Sequence, residues 1–296
     1  MRIVETRREL RELLAGPRRE GRTIGLVPTM GYLHAGHISL LTAARADCDV
    51  VVMSLFVNPA QFGAGEDLDR YPRDLDGDAA AAAEAGVDLV YAPSVDEVYP
   101  EGFATTVEVG GITEVLCGRD DLRGPEHFRG MTTVVAKLLN TVGPDVAYFG
   151  QKDAQQAVVV RRMVEDLDFP TRIEVRPTVR EADGLAMSSR NSYLSPADRE
   201  RAPAIHRALE SAGEAARAGT SSHDVLAPAH RILSEAGIEP EYLEIRDAER
   251  LQPIETLNGR PAVIAIAAQV GGARLIDNLI IEPSNASTSG EEGQDT

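Results

Sequence analysis

Two histidines, His34 and His37, lie three residues apart where a short apolar run passes into a helical pattern. One turn of helix would direct both imidazoles to the same spot. A helix start also presents free backbone N–H groups and the positive end of the helix dipole, which favour an anion. Gly31 and Gly36 lie in the same stretch and allow close approach of a ligand, because glycine has no Cβ. Residues 28–37 therefore predict a phosphate-binding turn.

Two other interpretations of the histidine pair remain open. Either histidine could be an ordinary core or surface residue. The pair could also bind a metal ion, but residues 28–37 contain no Cys, Asp or Glu that would complete the ligand shell. The motif His34-Ala35-Gly36-His37 after a strand is more specific. It resembles the nucleotide-binding signature of the nucleotidyltransferase superfamily, which includes the class I aminoacyl-tRNA synthetases.

The elements around this turn predict an α/β fold. Thr23–Val27 has the length and bounding residues of a buried strand, and apolar residues recur at helical spacing over Ile38–Arg45. A second strand, rich in β-branched residues, covers Asp49–Val57. An alanine-rich helix over Asp76–Ala85 and a strand over Asp88–Pro93 follow. This alternation predicts a doubly wound α/β sheet.

Two further polar clusters follow buried strands, at the position where open parallel sheets bind ligands. Asn58–Gly63 follows the second strand, and Gly150–Gln156 follows an apolar run over Asp145–Phe149. Lys152 would lie in the first turn of a helix, against the preference of the helix dipole, so we expect it to face an anion. Asp153 is predicted to cap that helix.

The remaining segments of the first part of the chain are less regular. The other predicted elements are a helix over Arg7–Leu14 stopped by Gly16-Pro17, a strand over Thr105–Val109, a helix over Met131–Val142 and a strand over Arg172–Arg176. Thr6 is the predicted cap of the first helix. Gly118–Arg129 is predicted to be a polar loop. Its candidate ligands are Arg123, His127 and Arg129, and simple solvation of each is the favoured alternative.

A domain boundary is predicted near Pro177. Residues 1–177 would hold the sheet, and residues 178–284 would form a smaller α+β C-terminal lid domain. Its predicted elements are helices over Pro196–Ala218 and Ser222–Ala236 and strands over Tyr242–Arg246 and Ala262–Val270, with His206, His223 and His230 solvated on the helices. Met187–Arg190 offers two hydroxyls and a guanidinium that could hold phosphates, although an ordinary polar loop is an alternative. Residues 285–296 have a disordered composition.

Composition limits the classes of partner. A net charge of −17 and a pI near 4.8 argue against a nucleic-acid backbone or an anionic membrane as partner. Only Cys48 and Cys117 are present, so we expect no disulfide framework and a cytoplasmic location. The N-terminus leads into a charged helix and has no signal-peptide pattern, and no apolar run reaches membrane-spanning length.

The chain through about Pro283 resembles the pantoate–β-alanine ligases, or pantothenate synthetases. The resemblance is carried, in the family's order and spacing, by residues 28–37, Phe56–Pro59, Gln61–Gly63, Asp69–Arg73, His127–Gly130, Phe149–Asp153, Gln155-Gln156 and Ser188–Asn191. This family is similar to the class I aminoacyl-tRNA synthetases in its Rossmann-type nucleotide site, where Met187–Arg190 stands in the place of a KMSKS-type loop. One departure is Gly118–Glu126, which is longer than the family's usual loop, so no role is carried over to Arg123.

The resemblance implies a two-step ligation. The carboxylate of (R)-pantoate attacks the α-phosphorus of ATP to give pantoyl adenylate and diphosphate. The amine of β-alanine then displaces AMP and forms the amide of (R)-pantothenate. The resemblance also implies a Rossmann-type sheet, Mg²⁺ as cofactor and a cytoplasmic homodimer.

The resemblance assigns roles to individual residues. His37 would be the proton donor, with His34, Lys152 and Arg190 as its catalytic companions. The implied ATP site consists of Met30, Gly31, Tyr32, Leu33, His34, Ala35, Gly36, His37, Gly150, Gln151, Lys152, Asp153, Val179, Met187, Ser188, Ser189 and Arg190. Gln61 would hold both pantoate and β-alanine, Gln156 would hold pantoate, and Asn58 and Tyr71 would complete the substrate site. The ligands of the metal stay open.

Elementary chemistry agrees with these roles. Attack at the α-phosphorus builds negative charge on the phosphate oxygens, which nearby cations and hydrogen-bond donors stabilise most in the transition state. Neutral glutamines suit a carboxylate that must remain nucleophilic. Two alternatives remain: a nucleotidyltransferase for a phosphorylated substrate, which would need additional basic residues, and a non-catalytic nucleotide-binding module.

Overall fold

The computed structural model describes residues 1–63, 65–218, 221, 224–254 and 260–282. Its first sheet consists of β1 (Arg2–Val4), β2 (Ile24–Thr29), β3 (Val50–Leu55), β4 (Leu89–Tyr91), β5 (Val146–Gly150) and β6 (Arg172–Arg176). These strands are parallel and lie in the order β1-β4-β3-β2-β5-β6. The helices around them are α1 (Arg7–Arg19), α2 (Ala35–Asp47), α3 (Leu75–Glu84), α4 (Val95–Val98), α5 (Gly124–Val142) and α6 (Ala154–Asp166).

Apolar side chains cover both faces of this sheet. On one face, Leu26 and Val52 pack in a core with residues of α1 and α5. On the other face, Val27 and Met53 pack with residues of α2 and α3. Successive strand residues thus face opposite cores, as expected for parallel strands buried on both sides. The predicted doubly wound α/β sheet is confirmed.

The strand order reverses direction at β2. From β2 the chain passes to β3 and then to β4 on one side, and it later returns to place β5 on the other side of β2. The helices that follow β2 and β5 therefore diverge, which opens a crevice outside the carboxyl ends of these two strands. Residues 28–37 and Gly150–Gln156 both lie at this crevice.

The second sheet is small and antiparallel. It consists of β7 (Pro240–Asp247), β8 (Ala262–Val270) and β9 (Ala273–Ile281), which follow the helices α7 (Pro196–Arg201), α8 (Ala204–Arg217) and α9 (Ala227–Glu235). Ile264 and Ile266 of β8 pack in a core with residues of α8 and α9, whereas Val263 and Ala265 belong to the core of the first sheet. The predicted C-terminal α+β unit is confirmed, and the boundary at Pro177 stays a prediction.

Several predicted element bounds were wrong. The cap at Thr6 is confirmed because its hydroxyl accepts a hydrogen bond from the Glu9 N–H, but α1 continues through Gly16 and Pro17. Pro17 removes one backbone hydrogen bond and crowds the carbonyl of Leu13, and the helix ends two residues later at Arg19. The predicted helix over Pro196–Ala218 is instead divided into α7 and α8 at Pro203. The strands β1 and β9 were not predicted.

Thr105–Val109 is not a strand. The Val107 N–H donates to the Thr133 hydroxyl at 2.9 Å, and the Thr132 hydroxyl donates to the Val107 carbonyl at 2.6 Å. The alternating sequence therefore packs on α5, and side-chain hydroxyls replace the partner strand. The predicted polar loop was also wrong from Gly124 onward, where α5 begins with Pro125 in its first turn, a position that proline favours.

The prediction that three histidines of the C-terminal helices are solvated was only partly correct. His230 is exposed, but His206 is partly buried and its Nε2 lies 3.4 Å from the Glu210 carboxylate. His223 and the tail 285–296 lie outside the described residues. In the part of the chain that the structure describes, we find no helix with the length and apolar character needed to cross a bilayer.

Candidate active site

A large cavity lies in the crevice at the carboxyl ends of β2 and β5. It contains about 1220 Å³ of empty space with its open mouth included. Predicted site residues that line it are Met30, His34, Gly36 and His37 after β2, Gln61 and Tyr71 after β3, Gly150, Lys152, Asp153 and Gln156 after β5, and Val179, Met187, Ser188, Ser189 and Arg190 from the C-terminal part.

Not every predicted residue reaches this cavity. Within the described ranges, the predicted residues that do not line it are Gly31, Tyr32, Leu33, Ala35, Gln151 and Asn58. Most of these residues instead shape the turns that carry lining residues. Thr178 was not predicted; the residue lines the cavity, and its hydroxyl is buried with no hydrogen-bond partner among the described residues.

The backbone determines which nitrogen of each histidine is available to a ligand. His34 caps α2, and its Nδ1 accepts a hydrogen bond from the Gly36 N–H at 3.1 Å. His37 Nδ1 accepts from the His34 N–H at 3.3 Å. Because both Nδ1 atoms accept, both neutral rings carry their proton on Nε2. The ring centroids lie 4.1 Å apart, so two N–H donors serve one region of the cavity.

Both histidines are uncharged at neutral pH. Burial, assisted by the Lys152 ammonium, lowers the pKa of His34 to about 4. Burial, the neighbouring His34 and then Lys152 lower the pKa of His37 to about 3. In this structure the pair therefore offers hydrogen bonds rather than positive charge. The role of His37 as a proton donor remains a prediction.

Asp78 of α3 holds the histidine turn in place. Its carboxylate is buried and accepts from the N–H groups of Tyr32 at 2.8 Å and Leu33 at 2.6 Å. Gly31 has a φ of +87°, and a Cβ there would lie 2.8 Å from Asp78 Oδ2. A side chain at Gly31 would thus clash with the carboxylate that fixes the turn. Sequence reasoning missed Asp78, because a partner 46 residues away leaves no local pattern.

Lys152 and Asp153 lie together at the end of β5. Lys152 Nζ is 3.8 Å from the Asp153 carboxylate, and its side chain is only 20% exposed. Asp153 stands at the cap position of α6 but makes no capping hydrogen bond, so its predicted capping role was wrong. The 3₁₀ turn over Gln151–Asp153 leaves this carboxylate beside Lys152 in the cavity wall.

Arg190 is held by a carboxylate and an aromatic ring. Its Nε and Nη2 donate to Asp67 at 3.0 Å each, and its guanidinium lies 5.5 Å from the Tyr71 ring centroid. The Tyr71 hydroxyl is also 3.2 Å from Ser189 Oγ. Tyr71 is thus a support of this loop as well as a lining residue. Asp67 was not predicted, since it lies 123 residues from its partner.

Gln61 is held by two neighbours, Asn58 and His127. Its Oε1 accepts from Asn58 Nδ2 at 3.1 Å, and Asn58 itself is buried and donates to the Gly130 carbonyl at 3.1 Å. The Gln61 carbonyl accepts from His127 Nδ1 at 2.7 Å. Burial and the nearby Arg123 lower the pKa of His127 to about 4, so it is a neutral donor. The prediction that His127 is solvated was wrong, because His127 is largely buried and positions Gln61.

The cavity has an apolar wall beside Gln61. This wall is formed by Phe56 and, from α5, Met131, Val134, Val135 and Leu138. A second cavity adjoins the first at Lys152 and Arg190, and it is lined by Arg70, Arg123 and Arg274. Arg123 there forms a two-point ion pair with Glu66 at 2.9 and 2.5 Å, so it is not simply solvated.

The described ranges contain no group of three or more His, Cys, Asp or Glu side chains that could hold a metal ion. Asp153 is nevertheless a carboxylate at the cavity wall, with 45% of its side chain exposed. Mg²⁺ is commonly bound by one or two carboxylates together with substrate phosphates. The residues present therefore fit a magnesium ion that arrives with a phosphorylated ligand.

Comparisons with known proteins agree on one family. The family model described as pantoate-beta-alanine ligase matches residues 2–280. The pantothenate synthetase of Moorella thermoacetica is 53% identical over 284 residues, which are 95% of this chain and 99% of that protein. The crystal structure of pantothenate synthetase from Thermus thermophilus has a TM-score of 0.89 and 49% identity, and it covers 96% of this chain and 100% of its own. The pantoate-beta-alanine ligase from Francisella tularensis, complexed with beta-gamma ATP and beta-alanine, has a TM-score of 0.79 and 34% identity over 95% of this chain and 97% of its own.

The depressed histidine pKa values predict a pH-dependent stability. Below pH 6.5 the unfolded chain binds protons at these histidines and the folded chain does not, so the free energy of unfolding falls as the pH falls. Between about pH 7 and pH 5, His37 alone should account for about 2 kcal/mol of this loss. Urea unfolding of the parent and of His37→Gln at both pH values measures the difference. Equal losses of unfolding free energy in the two proteins would contradict the burial of a neutral His37. The interval from about pH 7 to pH 8 is the control, because the histidines contribute almost no change in unfolding free energy there.

Proposed function

Because this chain belongs to the pantoate–β-alanine ligase family, we propose that its main cavity joins (R)-pantoate to β-alanine with ATP, through a bound pantoyl adenylate. The products are (R)-pantothenate, AMP and diphosphate. The observation that carries the proposal is the convergence of the histidine turn, Lys152 and two glutamines on one cavity in a chain of this family. The relative from Francisella tularensis, complexed with beta-gamma ATP and beta-alanine, supports both as ligands.

The triphosphate of ATP would lie between the start of α2 and the loop Met187–Arg190. The two Nε2–H groups of His34 and His37 would donate to phosphate oxygens, and the Lys152 ammonium would balance their charge. Neutral imidazoles suit this position, because N–H donors that are already fixed in place stabilise the growing negative charge without reorganising during the reaction. Asp67 occupies one edge of the Arg190 guanidinium and leaves the Nη1 edge for a phosphate.

Pantoate would lie against α5, where the cavity is apolar on one side and amide-lined on the other. Its two methyl groups fit the wall formed by Met131, Val134 and Leu138. Gln61 and Gln156 would bind its hydroxyl groups and carboxylate with neutral hydrogen bonds. An arginine on the carboxylate would lower its nucleophilicity, and the one arginine among the described lining residues, Arg190, is paired with Asp67. These contacts would orient the carboxylate toward the α-phosphorus.

The second step needs orientation more than acid–base chemistry, because an acyl adenylate is already activated. Gln61 is the residue proposed to hold the β-alanine amine near the acyl carbon. Its support by Asn58 and His127 would keep the side-chain amide in one place through both steps. The amine attacks the acyl carbon, the C–O bond to the phosphate breaks, and AMP leaves.

Three further features are proposed on the family resemblance. Mg²⁺ would enter with ATP, with Asp153 as the protein carboxylate nearest to hand, and it would neutralise charge on the phosphates. The chain would act as a homodimer and in the cytoplasm. The two cysteines, which are free and buried, agree with a reducing compartment.

The adenylate step is tested by isotope exchange. Without β-alanine, the protein should exchange labelled diphosphate into ATP only when pantoate is present, since the first step is then readily reversed. His37→Ala should lower this exchange by roughly 10²–10⁴-fold, the range for a positioned donor or acid. Exchange that does not need pantoate, or none with it, would rule the proposal out, and so would ADP as the product of the complete reaction.

The two polar groups of the cavity should bind different ligands. Gln156→Ala should weaken pantoate binding about 10-fold and leave ATP binding nearly unchanged, because it removes hydrogen bonds to a charged group on one ligand only. Arg190→Ala should do the reverse. Calorimetric titration of each ligand measures both effects. Arg162→Ala, an exposed ion-paired arginine on α6, is the matched control and should change neither affinity. Equal loss of both ligands in both variants would contradict the division.

A further inference from the structure

Asp277 and Asn278 are adjacent residues of β9 in the C-terminal part of the chain. Both are polar and buried, with 4% exposure each. Successive strand residues face opposite sides of a sheet, so their side chains leave β9 in opposite directions. Asp277 pairs with Ile266 in register, and Asn278 pairs with Ala265. Those partners belong to the two different cores, which confirms that the two polar side chains reach different parts of the molecule.

Asn278 holds the turn that carries Lys152. Its Nδ2 donates to the carbonyl of Gln151 at 2.8 Å and to the carbonyl of Lys152 at 2.9 Å. Its Oδ1 accepts from Gln151 Nε2 at 3.0 Å. Two hydrogen bonds donated by this buried amide therefore fix the backbone of the turn to β9, and the third holds the Gln151 side chain. Gln151 does not line the main cavity, and these contacts account for its position.

Asp277 holds the segment that carries Met187–Arg190. It accepts two hydrogen bonds from Arg180 at 2.6 and 3.0 Å, and its side chain is almost fully buried. Arg180 also donates to the Gly184 carbonyl at 3.1 Å and pairs with Ala186 across a β-bridge. The hairpin that leads into Met187–Arg190 is thus bound to β9 through one ion pair.

We propose that Asp277 and Asn278 are positioning residues that set the distance between Lys152 and the Met187–Arg190 loop for the adenylation step. The proposal rests on the proposed function, since it takes these two segments as the groups that hold the triphosphate. Neither residue lines the main cavity; Asn278 acts through the backbone of the Lys152 turn, and Asp277 acts through Arg180. Because the two residues are neighbours on one strand, they place both phosphate-binding segments on a single rigid element.

This arrangement distinguishes the two half-reactions. Adenylation needs Lys152 and the loop at fixed positions on the triphosphate, and a displacement of about 1 Å can cost about 10²-fold in rate. Attack of β-alanine on the adenylate takes place after diphosphate has left. That step therefore depends less on the distance between the two segments.

The test compares the half-reactions in Asn278→Ala. Pantoate-dependent exchange of diphosphate into ATP should fall about 10²-fold. Conversion of chemically prepared pantoyl adenylate and β-alanine to pantothenate should stay within a few-fold of the parent. Thr171→Val is the control. Thr171 is also buried, and the substitution removes its hydrogen bond to the Pro144 carbonyl, but the residue does not line the cavity. It should lower the melting temperature and leave exchange unchanged.

A second variant tests the other arm. Arg180→Lys keeps the charge opposite Asp277 but loses the two-point contact. Because Arg180 is partly exposed, this variant should fold, and it serves as the test if Asn278→Ala does not fold. It should show the same selective loss of exchange. A folded variant with unchanged exchange, or with both half-reactions reduced equally, would overturn the inference. A parent protein without exchange would instead refute the proposed function on which the inference rests.

Discussion

The hydrogen bonds that the backbone at the start of α2 donates to two imidazoles are the constraint on which the rest of the site depends. They occupy Nδ1 of both His34 and His37. Burial lowers the pKa of each ring, so both imidazoles are neutral. The turn can therefore offer only neutral Nε2–H donors, and positive charge must come from elsewhere. Lys152 and Arg190 supply it from two other segments of the chain. The proposed chemistry at a phosphate is thus divided between fixed donors and separate cations.

That division explains why the fold brings distant segments together. The histidine turn follows β2 and Lys152 follows β5, two strands that are neighbours only because the strand order reverses at β2. The arginine comes from the C-terminal part, and β9 links its hairpin to the Lys152 turn through Asp277 and Asn278. The part of the cavity that contains Gln61 is organised separately, by α5 and by the contacts of Asn58 and His127 with Gln61.

The sequence predicted the elements whose signal is local. Buried strands such as β2 and β3 are apolar runs between turn residues, and the lining histidines, Lys152 and Arg190 follow from motifs. What the sequence could not predict are partners chosen by the fold. Asp78 and Asp67 lie 46 and 123 residues from the groups they hold. Thr105–Val109 has the pattern of a strand, yet threonine hydroxyls of α5 satisfy its backbone, which no periodicity reveals.

The central claim is that the carboxylate of pantoate attacks the α-phosphorus of ATP in this cavity. Pantoate labelled with ¹⁸O in its carboxylate tests it most directly, because the oxygen that bonds to phosphorus remains there when β-alanine displaces the nucleotide. Mass spectrometry of the products of a complete reaction should find one labelled oxygen in AMP and none in diphosphate. Label in inorganic phosphate, with ADP as the nucleotide product, would contradict the claim and the roles assigned to His37, Lys152 and Arg190.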